Sequence, residues 1–114
     1  MKILHYRIEE YVNERGKCPY RKWLLALDSA IRARIQARIF RFEMGNLGDH
    51  KSVGDGVFEA RMDFGKGYRV YFGFDEKTII LLLLGGDKST QNKDIPLAQN
   101  YLKDYLENKY AKKK

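Results

Sequence analysis

Residues Val57–Thr90 read VFEARMDFGKGYRVYFGFDEKTIILLLLGGDKST, and this stretch decides the fold. Phe58, Ala60, Met62 and Phe64 alternate with Val57, Glu59, Arg61 and Asp63, the period-2 pattern of a half-buried strand. Gly65-Lys66-Gly67 supplies a tight turn. A second strand follows, with Tyr68, Val70, Phe72 and Phe74 on one face and Arg69 and Tyr71 on the other. Asp75-Glu76-Lys77 turns the chain again. Ile79–Leu84 is apolar without alternation, as expected of a central strand covered on both faces or nearly so. A simple hairpin at Gly65–Gly67 sets Asp63 opposite Arg69 and Arg61 opposite Tyr71, with Glu59 on the same face. One sheet face is then apolar, and the other gathers Arg, Glu, Asp and Tyr, with Lys88 at its edge. Convergent cations on a polar face suit a phosphate.

Working outward, Lys2–Ile8 reads as a short edge strand of the same sheet. Pro19 opens a helix over 19–27 with Trp23, Leu24 and Leu27 as its apolar stripe, Trp23 being a packing residue. Asp28 caps a helix over 29–44 that stops at Gly45. Ile31, Ile35, Ile39 and Phe42 turn toward the sheet, while Arg34, Arg38 and Arg41 form a second stripe: a solvated face or a basic ridge. Gly45–Gly56 reads as a loop carrying His50 and Lys51. His50 is an exposed loop histidine, or a proton donor if the loop folds over the polar face. Asp94 caps a last helix, with Pro96 in its first turn and Ala98, Leu102, Tyr105 and Leu106 as its packing stripe.

The chain has 114 residues, so a single domain spanning 1–114 is expected, of α+β class. The expected sheet is small and antiparallel with a mixed edge, of about four strands. Two N-terminal helices pack on one face and a C-terminal helix completes the order β-α-α-β-β-β-α. A lone Cys18 leaves no internal disulfide to form and fits a reducing compartment. With no leader pattern and no apolar run long enough to span a bilayer, the expected location is the cytoplasm, without membrane contact. Twenty-two Lys and Arg against 15 Asp and Glu give a net charge of +7, which points to an anionic partner, nucleic acid or an acidic protein. No metal site is expected, since two distant histidines and one cysteine make none. No cofactor is expected either: Gly65-x-Gly67 joins two strands rather than opening a helix, and Gly85-Gly86-Asp87-Lys88-Ser89 lacks the glycine spacing of a phosphate loop.

Three strings cover nearly all of Tyr20–Ala98: RKWLLAL, ARIQARIFRFEMGNLGDHKSVGDGVFEARMDFGKGYRVYF and LLLLGGDKSTQNKDIPLA. On these strings the chain resembles the RelE/ParE toxin superfamily of type II toxin–antitoxin modules, and more closely its HigB-like "addiction module killer protein" branch. The resemblance implies a ribosome-dependent mRNA endoribonuclease, an mRNA interferase, that arrests translation and is silenced by a cognate antitoxin. In that group the ribose 2′-hydroxyl attacks the adjacent phosphate. By matching position, Arg69 stands where an arginine stabilises the scissile phosphate, Arg61 where a strand lysine stands, and Lys88 near the arginine after the last strand. Glu59 replaces a second strand lysine, and no tyrosine follows Lys88; Asn92, Lys93 and Asp94 stand there instead. Glu59 is then either the general base or a salt-bridge partner of Arg61 or Arg69. Lys51, Lys66, Tyr71, Arg34, Arg38 and Arg41 are the residues expected to touch RNA. Two alternatives stand: a ParE-like poison of DNA gyrase without nuclease chemistry, and a non-catalytic module that binds RNA or the ribosome.

Overall fold

The computed structural model describes residues 5–111, so the start of the expected 2–8 strand and the Lys112–Lys114 tail lie outside the described residues. Five strands form one mixed sheet: β1 (Arg7–Glu10), β2 (His50–Gly54), β3 (Val57–Arg61), β4 (Tyr68–Asp75) and β5 (Ile79–Asp87), in the order β1-β5-β4-β3-β2. β2 to β5 make an antiparallel meander, and β1 joins β5 in parallel at the edge, Arg7 opposite Ile79. Between β1 and β2 run α1 (Pro19–Leu25) and α2 (Ser29–Glu43), the latter capped by the Asp28 carboxylate accepting from the Ala30 amide. A 3-10 turn (Lys88–Thr90) leads into α3 (Gln91–Ala111).

The architecture is the α+β arrangement expected, with two corrections. The segment 45–56 contains a strand, not only loop. β2 is an edge strand whose residues are mostly exposed, so its polar sequence carries no alternation to announce it; pairing with β3 through the turn at 54–56 makes it. In that turn Asp55 takes a positive φ of 54°. Second, α3 begins at Gln91, not after Asp94. Asp87 caps the preceding turn in a capping box with Thr90, which leaves Pro96 inside the helix rather than in its first turn.

Both faces of the sheet are covered. On one, α1 and α2 bury Tyr20, Leu24, Ile35, Ile39 and Phe42 against Ala60, Met62, Val70, Phe72, Ile80 and Leu82. On the other, α3 lays Ala98 and Leu102 on Val57, Tyr71, Leu81, Leu83 and Leu84. The unbroken apolar run of β5 demands this, because its residues alternate between two dry interfaces. Trp23 packs flat on β5, where a Cβ at Gly85 would stand 2.0 Å from its ring.

Arg38 is withdrawn from the basic stripe expected on α2, with only 9% of its surface exposed. Its guanidinium donates to the carbonyls of Leu47 (2.9 Å), Asp49 (2.7 Å) and Arg61 (2.8 Å), tying α2 to the entry of β2 and the end of β3. Buried carbonyls in an irregular segment need such donors, and only the planar fork reaches all three. Arg38→Lys should therefore lower the free energy of unfolding in urea by about 1.5–3 kcal/mol. Arg41→Lys, at an exposed position, should stay within about 0.5 kcal/mol; equal losses would remove the staple.

Candidate active site

The β3–β4 register places Arg61 opposite Arg69 and Glu59 opposite Tyr71. This is two residues away from the simple hairpin. The connection is wider, closed by Met62 N–H donating to the Tyr68 carbonyl and Gly67 N–H to the Phe64 carbonyl. A slip of two keeps every side chain on its face, so Glu59, Arg61, Arg69 and Tyr71 do share one, while Asp63 falls outside the strand.

That face is not the open polar platform that the alternation suggested. The first turn of α3 lies over it. Glu59 and Tyr71 are 0% exposed, and Arg69 is 7% exposed. Arg69 Nε stands 3.7 Å from Glu59 Oε1, a buried ion pair, and Arg69 Nη1 donates to the carbonyls of Gly67 and Tyr68. From α3, Gln91 Nε2 donates to Glu59 Oε2 at 2.7 Å. The Thr90 hydroxyl donates to buried Asp94 at 2.5 Å, and a Cβ at Gly86 would stand 2.0 Å from the same Asp94 oxygen. Bare backbone at Gly86 is thus what lets α3 close onto the sheet beside Arg69. Three atoms here find no hydrogen-bond partner among the described residues: Glu59 Oε1, Arg69 Nε and the Tyr71 hydroxyl. Burial, reinforced by the charges of Glu59 and Asp94, pushes the Tyr71 phenol well above its usual pKa, so it is neutral and a donor.

Cations ring this sealed centre. Lys88 runs over Gly67: its Cβ and Cδ lie 3.6 Å from where a Gly67 Cβ would be, and Arg69 Nη1 lies 3.7 Å from that point. Arg61, half-exposed, pairs with Asp49 at 3.2 Å. Lys66 is exposed in the turn, and exposed Lys51 sits opposite Glu59 on β2. Arg34 and Arg41 stay exposed on α2, with Arg34 stacked 3.7 Å over the Phe64 ring. Of the residues expected to touch RNA, Arg38 and Tyr71 are therefore inside the fold, and the basic stripe of α2 is broken at its middle. His50 is exposed on β2 with Nδ1 2.8 Å from the Gly48 carbonyl oxygen, not folded over the polar face. Gln91, Thr90 and the inward turn of Asp94 were not singled out from the sequence. The signal lay in Asp87-x-x-Thr90, a capping-box spacing that starts the helical path early enough to carry Gln91 and Asp94 over the sheet.

At the other end of β5, a groove of about 690 Å³ runs between β1 and the end of α3, lined by Glu9, Glu14, Asp75, Glu76 and Asp104 with Arg7 and Lys109. Charge is thus segregated along the sheet, acidic at one end of β5 and basic at the other. Among the described residues no helix is long and apolar enough to cross a membrane.

Gly86→Ala should lift the first turn of α3. Overpacking of this kind costs about 1–3 kcal/mol, and hydrogen exchange should show lost protection in residues 91–95 before the rest of α3; uniform loss would mean that Gly86 does not set this contact. Asp87 gives a second test. Hydrogen bonds from the Ser89 side chain and backbone hold its carboxyl below the usual range, against a smaller opposing effect of burial. Its folded pKa is depressed, so the stabilisation is present above the unfolded carboxylate pKa and is lost as pH falls through the folded one. Asp87→Ala should cost about 1 kcal/mol at neutral pH, and the difference from the parent chain should vanish in acid.

Two comparisons with known proteins found matches. A curated protein of Haemophilus influenzae, named only as an uncharacterized protein, is 53% identical over 78 residues, covering 68% of this chain and 79% of that one. No solved structure matches significantly. The family model of phage-derived Gp49-like proteins matches residues 22–103, which run from α1 through the meander and the sealed centre into α3. This span includes every residue of the candidate site, and the chain belongs to the phage-derived Gp49-like protein family.

Proposed function

We propose that the protein is the toxin of a toxin–antitoxin pair, of RelE/ParE type, that cuts mRNA on the ribosome. One observation carries the reading: Arg61 and Arg69 stand directly opposite each other on adjacent strands, with Lys88 beside Arg69. Like charges at directly opposed positions destabilise a sheet, so an arrangement that holds three cations at one edge is suited to an anion. Arg69 Nε and the Tyr71 hydroxyl both stand against the Glu59 carboxylate, and a phosphoryl oxygen taking its place would accept from both kinds of group.

In this reading Arg69, Arg61 and Lys88 hold the scissile phosphate and stabilise the charge that builds on its oxygens. Lys51 and Lys66 track the flanking backbone, whereas Arg34 and Arg41, on the helix layer, lie away from the phosphate. The 2′-hydroxyl loses its proton to a base, its oxygen forms a bond to phosphorus, and the bond to the 5′-oxygen breaks as that oxygen takes a proton. The products are a 2′,3′-cyclic phosphate and a 5′-hydroxyl. Glu59 serves as the base once the first turn of α3 moves off it; in the closed arrangement it is the counter-ion that aims Arg69. The sealing of Glu59 also favours one rival, a ParE-like protein that poisons gyrase by binding and needs no base.

Arg69→Ala is a poor test alone, because removing one partner of a buried ion pair typically costs about 3–5 kcal/mol. The outer cations discriminate better. Arg61→Ala and Lys88→Ala should melt within about 0.5 kcal/mol of the parent, yet slow cleavage of mRNA on programmed ribosomes by on the order of 10²-fold each. Glu59→Gln should keep ribosome binding and lose about 10²–10⁴ in single-turnover rate. Unchanged cleavage in all three variants would remove these residues from the mechanism; no cleavage by the parent chain would end the nuclease reading, and DNA damage without mRNA ends in expressing cells would establish the gyrase one.

A further inference from the structure

Helix α2 has two apolar faces, and only one of them is used. Ile31, Ile35, Ile39 and Phe42 face the core with Arg38. On the opposite side Ala30, Ala33, Ala37, Phe40 and Met44 are all exposed, Phe40 by 62% and Met44 by 52%. Their spacing alternates three and four, which is the a/d seam of a coiled coil over two heptads. Three alanines followed by two large side chains make a shallow track with a raised end. Beside Phe40, on the flank away from Arg34 and Arg41, a crevice of about 310 Å³ opens between α2, α1 and the outer edge of β1, lined by Ile8, Leu24, Ile39 and Leu82 and rimmed by Glu10, Arg21 and Glu43. A side chain from a docked helix would fill it. The flanks differ in charge: Arg34 and Arg41 recur seven apart at the e positions, whereas Gln36 and Glu43 occupy g.

We infer that α2 is the docking surface for an amphipathic helix of the neutralising protein partner, lying along Ala30–Met44 with acidic residues toward Arg34 and Arg41. Charge selects this occupant. A second copy packed antiparallel would bring Arg34 and Arg41 against the same arginines, a like-charge contact that disfavours pairing. An apolar seam edged by arginines suits a helix whose own seam is edged by Glu or Asp. The site lies on the helix layer, on the other side of the sheet from Glu59 and Tyr71, so its occupant need not enter the phosphate site. The inference rests on the toxin reading only for the identity of the protein that carries the helix.

The test uses the full chain and two synthetic four-heptad peptides with Leu at a and d: one has Glu at e and g, the other Lys, and self-repulsion keeps each monomeric. Calorimetry at physiological salt should show the Glu peptide binding at least about tenfold tighter than the Lys peptide. Phe40→Ser leaves net charge unchanged and should weaken it by about tenfold, as loss of a central aromatic anchor does. The double change Arg34→Glu/Arg41→Glu should reverse the preference between peptides, whereas Arg61→Glu, across the sheet, should not. Equal affinity for both peptides, or full binding by Phe40→Ser, overturns the proposal. So does light scattering that finds a dimer dissociated by Phe40→Ser, which would give the seam to a second copy. None of these readouts involves RNA, so failure here leaves the cleavage reading standing, and failure of cleavage leaves the seam.

Discussion

The contact on which the arrangement of this molecule depends is the ion pair between Glu59 and Arg69, sealed beneath the first turn of α3. Taking two charges out of water is unfavourable unless geometry and further hydrogen bonds offset it. Here Gln91 supplies one bond to Glu59, and the carbonyls of Gly67 and Tyr68 accept from Arg69. Each bond has a positional consequence. The first draws α3 down onto the sheet, and the second pair fixes the turn that carries Lys66. Gly86 leaves room for this closure, and Thr90 and Asp94 complete it.

A well-packed apolar cluster would hold α3 at least as firmly. What the charged version adds is that the helix position and the aim of one guanidinium are the same variable. Glu59 is held at once by Arg69 and by Gln91, so it links the strand to the helix. The segregated charge along β5 adds to this. An acidic groove lies at one end of β5 and the cations Arg61, Lys66 and Lys88 at the other.

Much of this could be read from residue pattern. Alternation in Val57–Arg61 and Tyr68–Asp75 and the unbroken run in Ile79–Leu84 give the meander, and the face shared by Glu59, Arg61, Arg69 and Tyr71 survives a two-residue error of register because parity does. What escaped lay in segments without a pattern of their own. β2 is a strand because β3 offers it an edge, not because HKSVG alternates. Arg38 looked like a member of a surface stripe because helical spacing cannot say that carbonyls of 47, 49 and 61 will converge on it. The covering of the charged face depended on where α3 starts. A helix begun at Asp94 leaves Glu59 open, whereas one begun at Gln91 buries it.

The parallel partnership of β1 with β5 has a kinetic consequence. Arg7 pairs with Ile79, more than half the chain later, while β2 through β5 are joined by turns of a few residues. Local hairpins close quickly, and pairing across long separations waits on loop closure. The N-terminal strand, first to leave the ribosome, is therefore expected to be the last to find its place, and the second core cannot finish before α3 is made. During synthesis the chain passes through a stage with the meander formed and Glu59 and Arg69 still uncovered. The ion pair sets into its buried form only when the first turn of α3 closes over it.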